Sequence, residues 1–162
     1  MENFPATANK ATHDVHEASK HNLGLRFKWN SQSNLVLFST LQYSTFLQNQ
    51  ASTSGILFNS RVSYDLKFVK ITLSSALFST DNFENRQYVY ESNFPYSLSI
   101  PFYQGSGHRW YAMVRLKITR GLQFWVRIAE TWRDHVSQIG TALNTIPGNK
   151  QTDLSFQIRY KL

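Results

Sequence analysis

The sequence predicts an all-β fold: an antiparallel transmembrane β-barrel, or the C-terminal part of a larger one. Two observations carry most of that expectation. Apolar and polar residues alternate with period two along run after run, as they do on strands whose side chains point by turns to opposite faces. The runs are roughly 9 to 13 residues long, near the ~9–11 that a tilted strand needs to cross a bilayer and beyond the ~5–6 of ordinary sheets. A third observation is the placement of aromatics, which make up 15% of the chain. Phe27, Trp29, Tyr43, Phe46, Tyr64, Phe68, Tyr103, Trp110, Trp132 and Tyr160 lie near run ends, where an interfacial girdle belongs.

Met1 to Asn22 is polar, has no repeating apolar stripe, and reads as a flexible leader or a loop of something larger. The barrel domain is expected over residues 23–162. Leu23, Leu25, Phe27 and Trp29 alternate with Gly24, Arg26 and Lys28; Leu35, Leu37, Leu41 and Tyr43 follow. Ile56, Phe58, Val62, Tyr64 and Leu66 oppose Asn59, Arg61, Ser63 and Asp65. Val69, Ile71, Leu73 and Leu77 oppose Lys70, Thr72 and Ser74. Trp110, Ala112, Val114 and Leu116 oppose Arg109, Arg115 and Lys117, and Phe124, Val126 and Ile128 oppose Gln123 and Arg127. Leu154, Phe156, Ile158 and Tyr160 oppose Asp153, Ser155, Gln157 and Arg159. Turns or loops are expected at Asn30–Asn34, Lys67–Val69, Gln48–Ser54, Asp81–Asn82, Gln104–Gly107, Arg120–Gly121 and, longest, Asp134–Gln151. Arg86–Glu91 is expected as a separate strand turning at Asn93, and Phe94–Tyr103, broken by Pro95 and Pro101, as a less regular one. The count is then about nine, or about eight if Arg86–Glu91 is a loop, and single-chain bacterial barrels are normally even. The odd count and the lack of a signal peptide in the polar first twenty residues lead to the expectation of further strands upstream or from a partner chain.

The balance of 17 Lys+Arg against 10 Asp+Glu gives a net charge of +7, and cysteine is absent, which excludes a disulfide knot, a thiolate zinc site and a cysteine nucleophile. No apolar run is long enough for a transmembrane helix. Arg26, Lys28, Arg61, Lys67, Lys70, Arg109, Arg115, Lys117, Arg127, Arg159 and Lys161 occupy the polar phase of their runs. Facing lipid, each would cost ~2–4 kcal/mol near the midplane. Arg61, Arg115, Lys117, Arg127 and Arg159 are therefore expected to face a lumen, with Asp65, Asp153 and Glu130 as available partners. Phe58, Val114, Phe124 and Phe156 are expected to face lipid. A salt-bridged plug is the expectation for a narrow barrel, and an anion-favouring pore for part of a wide one. The runner-up fold is a soluble lipocalin-like barrel with the apolar face inside, binding an apolar ligand.

His13, His16, Glu17 and His21 form one metal-like constellation, but nothing makes the leader helical, and no metal or cofactor is expected. His135 and Asp134 with Ser137 or Ser106 are the ingredients of a lipid hydrolase or acyltransferase. No nucleophile motif accompanies them, and the protein is not expected to be an enzyme. His108 beside Arg109 reads as a surface histidine. Basic residues mixed with aromatics also suit nucleic acid, but here most aromatics share the apolar phase, so none is expected.

Tyr103-Gln-Gly-Ser-Gly-His-Arg-Trp-Tyr111, Arg115-Leu-Lys-Ile-Thr-Arg-Gly-Leu122, Trp125-Val-Arg127 with Thr131, the loop residues Ile139, Gly140, Asn144, Ile146, Gly148 and Asn149, and the final Asp153-Leu-Ser-Phe-Gln-Ile-Arg-Tyr-Lys-Leu162 carry a resemblance. This stretch resembles the C-terminal barrel segment of outer-membrane proteins of the Bacteroidota, some of which have a helix-hairpin-helix region upstream. The resemblance implies an outer-membrane location in a diderm bacterium, contact with outer-membrane lipids, and recognition of the last strand, through Phe156, Ile158, Tyr160 and Leu162, by the barrel-assembly machinery. Such strands usually end in Phe, and Leu162 departs from that, which bears on insertion efficiency rather than fold. The resemblance implies little about activity; the role expected of such a barrel is a pore-forming or membrane-anchoring structural component.

Overall fold

The structure, a computed structural model, describes residues 18–48, 51–140 and 145–161. Its strands are β1 (Ala18–Asn30), β2 (Leu35–Gln48), β3 (Ala51–Asp65), β4 (Val69–Thr80), β5 (Gln87–Tyr88), β6 (Phe102–Tyr103), β7 (Ser106–Lys117), β8 (Leu122–Arg133), β9 (Gln138–Ile139), β10 (Ile146–Pro147) and β11 (Lys150–Tyr160). The seven long strands form one sheet in the order β1-β2-β3-β4-β7-β8-β11, and every neighbouring pair is antiparallel.

The register runs unbroken across the sheet, so one phase of every strand shares one face. Leu41 pairs with Phe58, Phe58 with Leu77, Val114 with Val126, and Val126 with Phe156. This apolar face is the exposed one: Leu25 is 61% exposed, Leu77 58% and Phe156 74%. The polar phase is covered, with Asn59, Thr72 and Arg127 all buried. A sheet folded for water would do the reverse.

The opposite, inner face is covered by a 25-residue insert, Asp81–Gly105, between β4 and β7. It starts with a single 3-10 turn at Phe83–Asn85, capped by the Asn82 side chain, which accepts from Asn85 N. The core sits between insert and sheet. Val89 and Tyr103 pack on Leu57, Ala76 and Phe78, and Phe94 packs against Tyr111, Met113, Trp125 and Ala129.

Several expectations change here. Arg86–Glu91 and Phe94–Tyr103 are not long strands. Only Gln87↔Tyr103 and Tyr88↔Phe102 pair, with one further bridge at Glu91↔Ser99. Pro95 and Pro101 cannot donate to a ladder, and Tyr96 turns the chain with φ +66°. The Asn93 turn therefore lies over the inner face, beside Lys70, Arg115, Gln123 and Arg159 near the tight-turn end, and does not join two wall strands. The count of about eight or nine strands falls to seven long ones, and among the described residues no pairing joins β1 to β11 and no closed barrel forms. β1 starts at Ala18, ahead of the expected Leu23, because its polar first residues still pair with the end of β2, Ala18 against Gln48. The loop expected at Gln48–Ser54 shrinks for the same reason: β3 begins at Ala51 and pairs there with Gln48.

Connections segregate by end. At one end the turns are tight: Ser31 N donates to Leu35 O (2.8 Å), Leu66 N to Val69 O (2.7 Å) and Ile118 N to Leu122 O (3.0 Å). The insert and the β9–β10 hairpin lie at or hang from the other end.

Candidate functional site

The insert is held to the sheet by one carboxylate. Glu91 is 2% exposed and lies among four donors. Arg109 on β7 donates from Nε to Glu91 Oε1 (2.8 Å) and from Nη2 to Oε2 (3.3 Å). Arg127 on β8 donates to Oε2, and the Tyr103 hydroxyl to Oε1 (2.9 Å). Burial pushes the Tyr103 phenol well above its ordinary range, and the Glu91 charge adds to that, so Tyr103 stays a donor. Arg109 reaches further, from Nη1 to Thr131 Oγ1 (2.6 Å) and Asp153 Oδ2 (3.4 Å) on β11. Arg127 also lies over the Tyr111 ring at 4.7 Å, and the Tyr111 hydroxyl accepts from Ser92 N (3.0 Å). A buried carboxylate shared by two guanidiniums and a phenol satisfies charge and hydrogen bonds together.

A second seam joins the insert to β2 and β3. Ser44 Oγ donates to Asn85 Oδ1 (3.1 Å), Gln87 Nε2 donates to Ser44 Oγ (2.6 Å), and Asn85 Nδ2 donates to Thr53 Oγ1 (2.7 Å). Gly55 permits this approach, since a Cβ there would lie 2.7 Å from Asn85 O.

The register puts Arg61, Arg115, Lys117, Arg127 and Arg159 on the inner face, and Phe58, Val114, Phe124 and Phe156 on the outer one. Phe156, Ile158 and Tyr160 of the last strand share that outer face, and Leu162 lies outside the described residues. Of the expected acidic partners, Asp65 pairs with Arg115 (3.1 Å) and Lys70 (3.8 Å), and Asp153 with Arg109. Glu130 does not join them: it sits in the outward phase of β8 and pairs with Lys150 (2.9 Å). Lys67 lies in the turn after β3, over the Phe68 ring. Tyr103, expected in a girdle, is instead buried at Glu91.

The insert leaves two basic hollows. One, of about 570 Å³, lies against Lys70, Arg115, Gln123, Trp125 and Arg159. The other, of about 180 Å³, is bordered by Arg26, Phe38, Arg61 and Tyr90. Arg61 there donates to Tyr90 O (3.4 Å) and lies over the Phe38 ring, with no carboxylate beside it among the described residues.

His13, His16 and Glu17 lie outside the described residues, and no group of three metal-ligating side chains occurs among the described ones. Ser106 Oγ bonds Ser79 Oγ (3.0 Å), while His135 and Ser137 are exposed beyond β8. No hydrogen bond joins the side chains of Asp134, His135, Ser106 and Ser137 among the described residues. His108 stacks on Trp132 at 4.4 Å on the outer face. Sequence reasoning missed Glu91, although a signal was present: it is the only charged residue between Arg86 and His108. A lone carboxylate in an aromatic tract must find cations or stay in water.

No family model matches the chain, and neither does any curated protein or solved structure.

Proposed function

We propose that this chain is a wall of an outer-membrane β-barrel of a diderm bacterium, serving as a pore-forming component with a basic, anion-favouring lumen narrowed by its own insert. The observation that carries the reading is the inverted burial. Large apolar residues dominate the outer face of the long strands and are exposed there, while Arg127, Asn59, Thr72 and Ser44 are buried inside beside a small core of Leu57, Phe78, Tyr111 and Trp125. An exposed apolar surface of this extent is the kind that lipid covers. The runner-up, a lipocalin-like soluble barrel, needs its larger apolar face inside, whereas here the inner face mixes a small apolar core with most of the cations and the larger apolar face is the exposed one. The same location is what the resemblance read in residues 103–162 implies, with the barrel-assembly machinery as the expected partner during insertion.

The insert also favours a pore over a filled plug. An eight-stranded barrel has an interior just wide enough for its own side chains. A folded segment reaching from Gln42 on β2 to Arg127 on β8 needs a wider lumen, built with strands beyond these seven. The test is heat-modifiable migration and β-rich circular dichroism of the detergent-refolded chain. A monodisperse, folded protein in plain buffer would overturn the membrane reading.

A further inference from the structure

The larger inner hollow is basic without being neutralised. Lys70, Arg115 and Arg159 line it, and no carboxylate among the described residues does. Asp65, beside it, compensates Arg115 and Lys70 together, which leaves two positive charges in excess. Arg159 has no acidic partner among the described residues and lies over the Trp125 ring at 5.4 Å. The Nε atoms of Arg115 and Arg159 are buried and make no hydrogen bond. The contrast with Arg109 is direct: that guanidinium, a few residues along the same strand, is saturated by Glu91, Thr131 and Asp153. The opposite wall is the insert segment Ser92–Ser97, which brings hydroxyl and amide groups, and Trp125 and Phe94 supply apolar surface. At about 570 Å³ the hollow is the size of a small organic ligand site and too large for a bare ion.

We propose that this hollow binds a small organic phosphate, a phosphomonoester dianion held by Arg115, Arg159 and Lys70 with its organic part on Trp125 and Phe94. Two forks and a point charge match the acceptor oxygens of a phosphate, and two excess positive charges match its dianion. The proposal deepens the anion-favouring reading and rests on it, because the inner face must be open to water for a solute to arrive.

The experiment is titration calorimetry of the full chain refolded in detergent, with phenyl phosphate, inorganic phosphate and benzyl alcohol as probes. Phenyl phosphate is expected to bind more tightly than inorganic phosphate, and benzyl alcohol not at all. Arg159→Gln should weaken phenyl phosphate by about tenfold or more, the value of a lost charged hydrogen bond. Gln123→Glu, which adds a carboxylate to the hollow, should do the same. Arg159→Lys should retain most of the binding, and Lys28→Gln, on the inner face of β1 outside the hollow, should retain all of it. Equal loss in Lys28→Gln, or no binding by wild type, would overturn the site. Heat-modifiable migration scored on each sample separates the two failures: a folded barrel that binds nothing sinks only the site, and binding by a detergent-independent protein sinks only the membrane reading.

Discussion

Glu91 is where one side chain decides whether the inner face is covered. Its carboxylate lies between Arg109 and Arg127, and removing a partner from a buried pair costs about 3–5 kcal/mol because a charge is left uncompensated. Glu91→Gln should therefore free the insert, exposing Asp81–Gly105 to limited proteolysis, with the circular dichroism of the strands unchanged. In planar bilayers the same variant should raise anion selectivity, since Arg127 loses its counter-charge and Arg109 keeps only Asp153; unchanged reversal potentials would count against the lumen reading. Gly55→Val acts on the other seam, pushing Asn85 O from a position only 2.7 Å from the new Cβ, and should loosen the insert without touching a charge. Tyr103 sets the pH dependence. Its raised value means that its contribution is complete below about 10, the ordinary tyrosine range, and is lost as pH rises through the folded value. Tyr103→Phe should expose the insert to protease at neutral pH, and the difference from wild type should shrink above about pH 10.

The strands were legible because their information is local. On β8, Phe124, Val126 and Ile128 alternate with Trp125, Arg127 and Ala129, and period two alone assigns each to a face. Polarity alone would have misassigned the aromatic Trp125, which lies inside under Arg159. The insert was not legible, because what fixes it is distant. Glu91 meets Arg109 across 18 residues and Arg127 across 36, and no local pattern records that. Tyr88 and Tyr90 look like a strand's alternation, yet the regular pairing stops after Tyr88↔Phe102, and the two tyrosine carbonyls accept from the Gln42 and Arg61 side chains. The hollow is half legible: the polar phase puts Arg115 and Arg159 on one face, but the insert wall that completes it reads only as a turn at Asn93 leading into an irregular strand. Nitroxide labels test the element scale. Labels at Phe58, Val114, Phe124 and Phe156 should be relaxed by oxygen, and those at Arg61, Arg115, Lys117 and Arg159 by a water-soluble paramagnet. Arg127, under Glu91, should be shielded from both. Oxygen access at the arginine positions would refute the orientation.

At the scale of the molecule, the two edges set the problem. Seven antiparallel strands leave β1 and β11 running in the same direction, so closing this sheet on itself would require a parallel seam. Closing it with antiparallel pairs requires an odd number of further strands. Among the described residues, the 13 of β1 and the 11 of β11 each present an outer row of N–H and C=O groups with no strand beside it. In hydrocarbon each unsatisfied group costs several kcal/mol, far more than a marginal fold can carry. If the outer face meets lipid, both edges must therefore be paired, by strands of the same polypeptide or of another. The absence of native cysteine makes this measurable, since any introduced pair reports alone. Gly24→Cys on β1 and Gln157→Cys on β11 share the inner phase, and a disulfide needs their Cα atoms within about 7 Å. The folded double variant should give no intramolecular disulfide under mild oxidation, whereas control cysteines at the paired positions Gln42 and Leu57 should cross-link. A disulfide between Gly24→Cys and Gln157→Cys within one chain would bring the edges together, close the barrel on seven strands, and leave too little lumen for the insert.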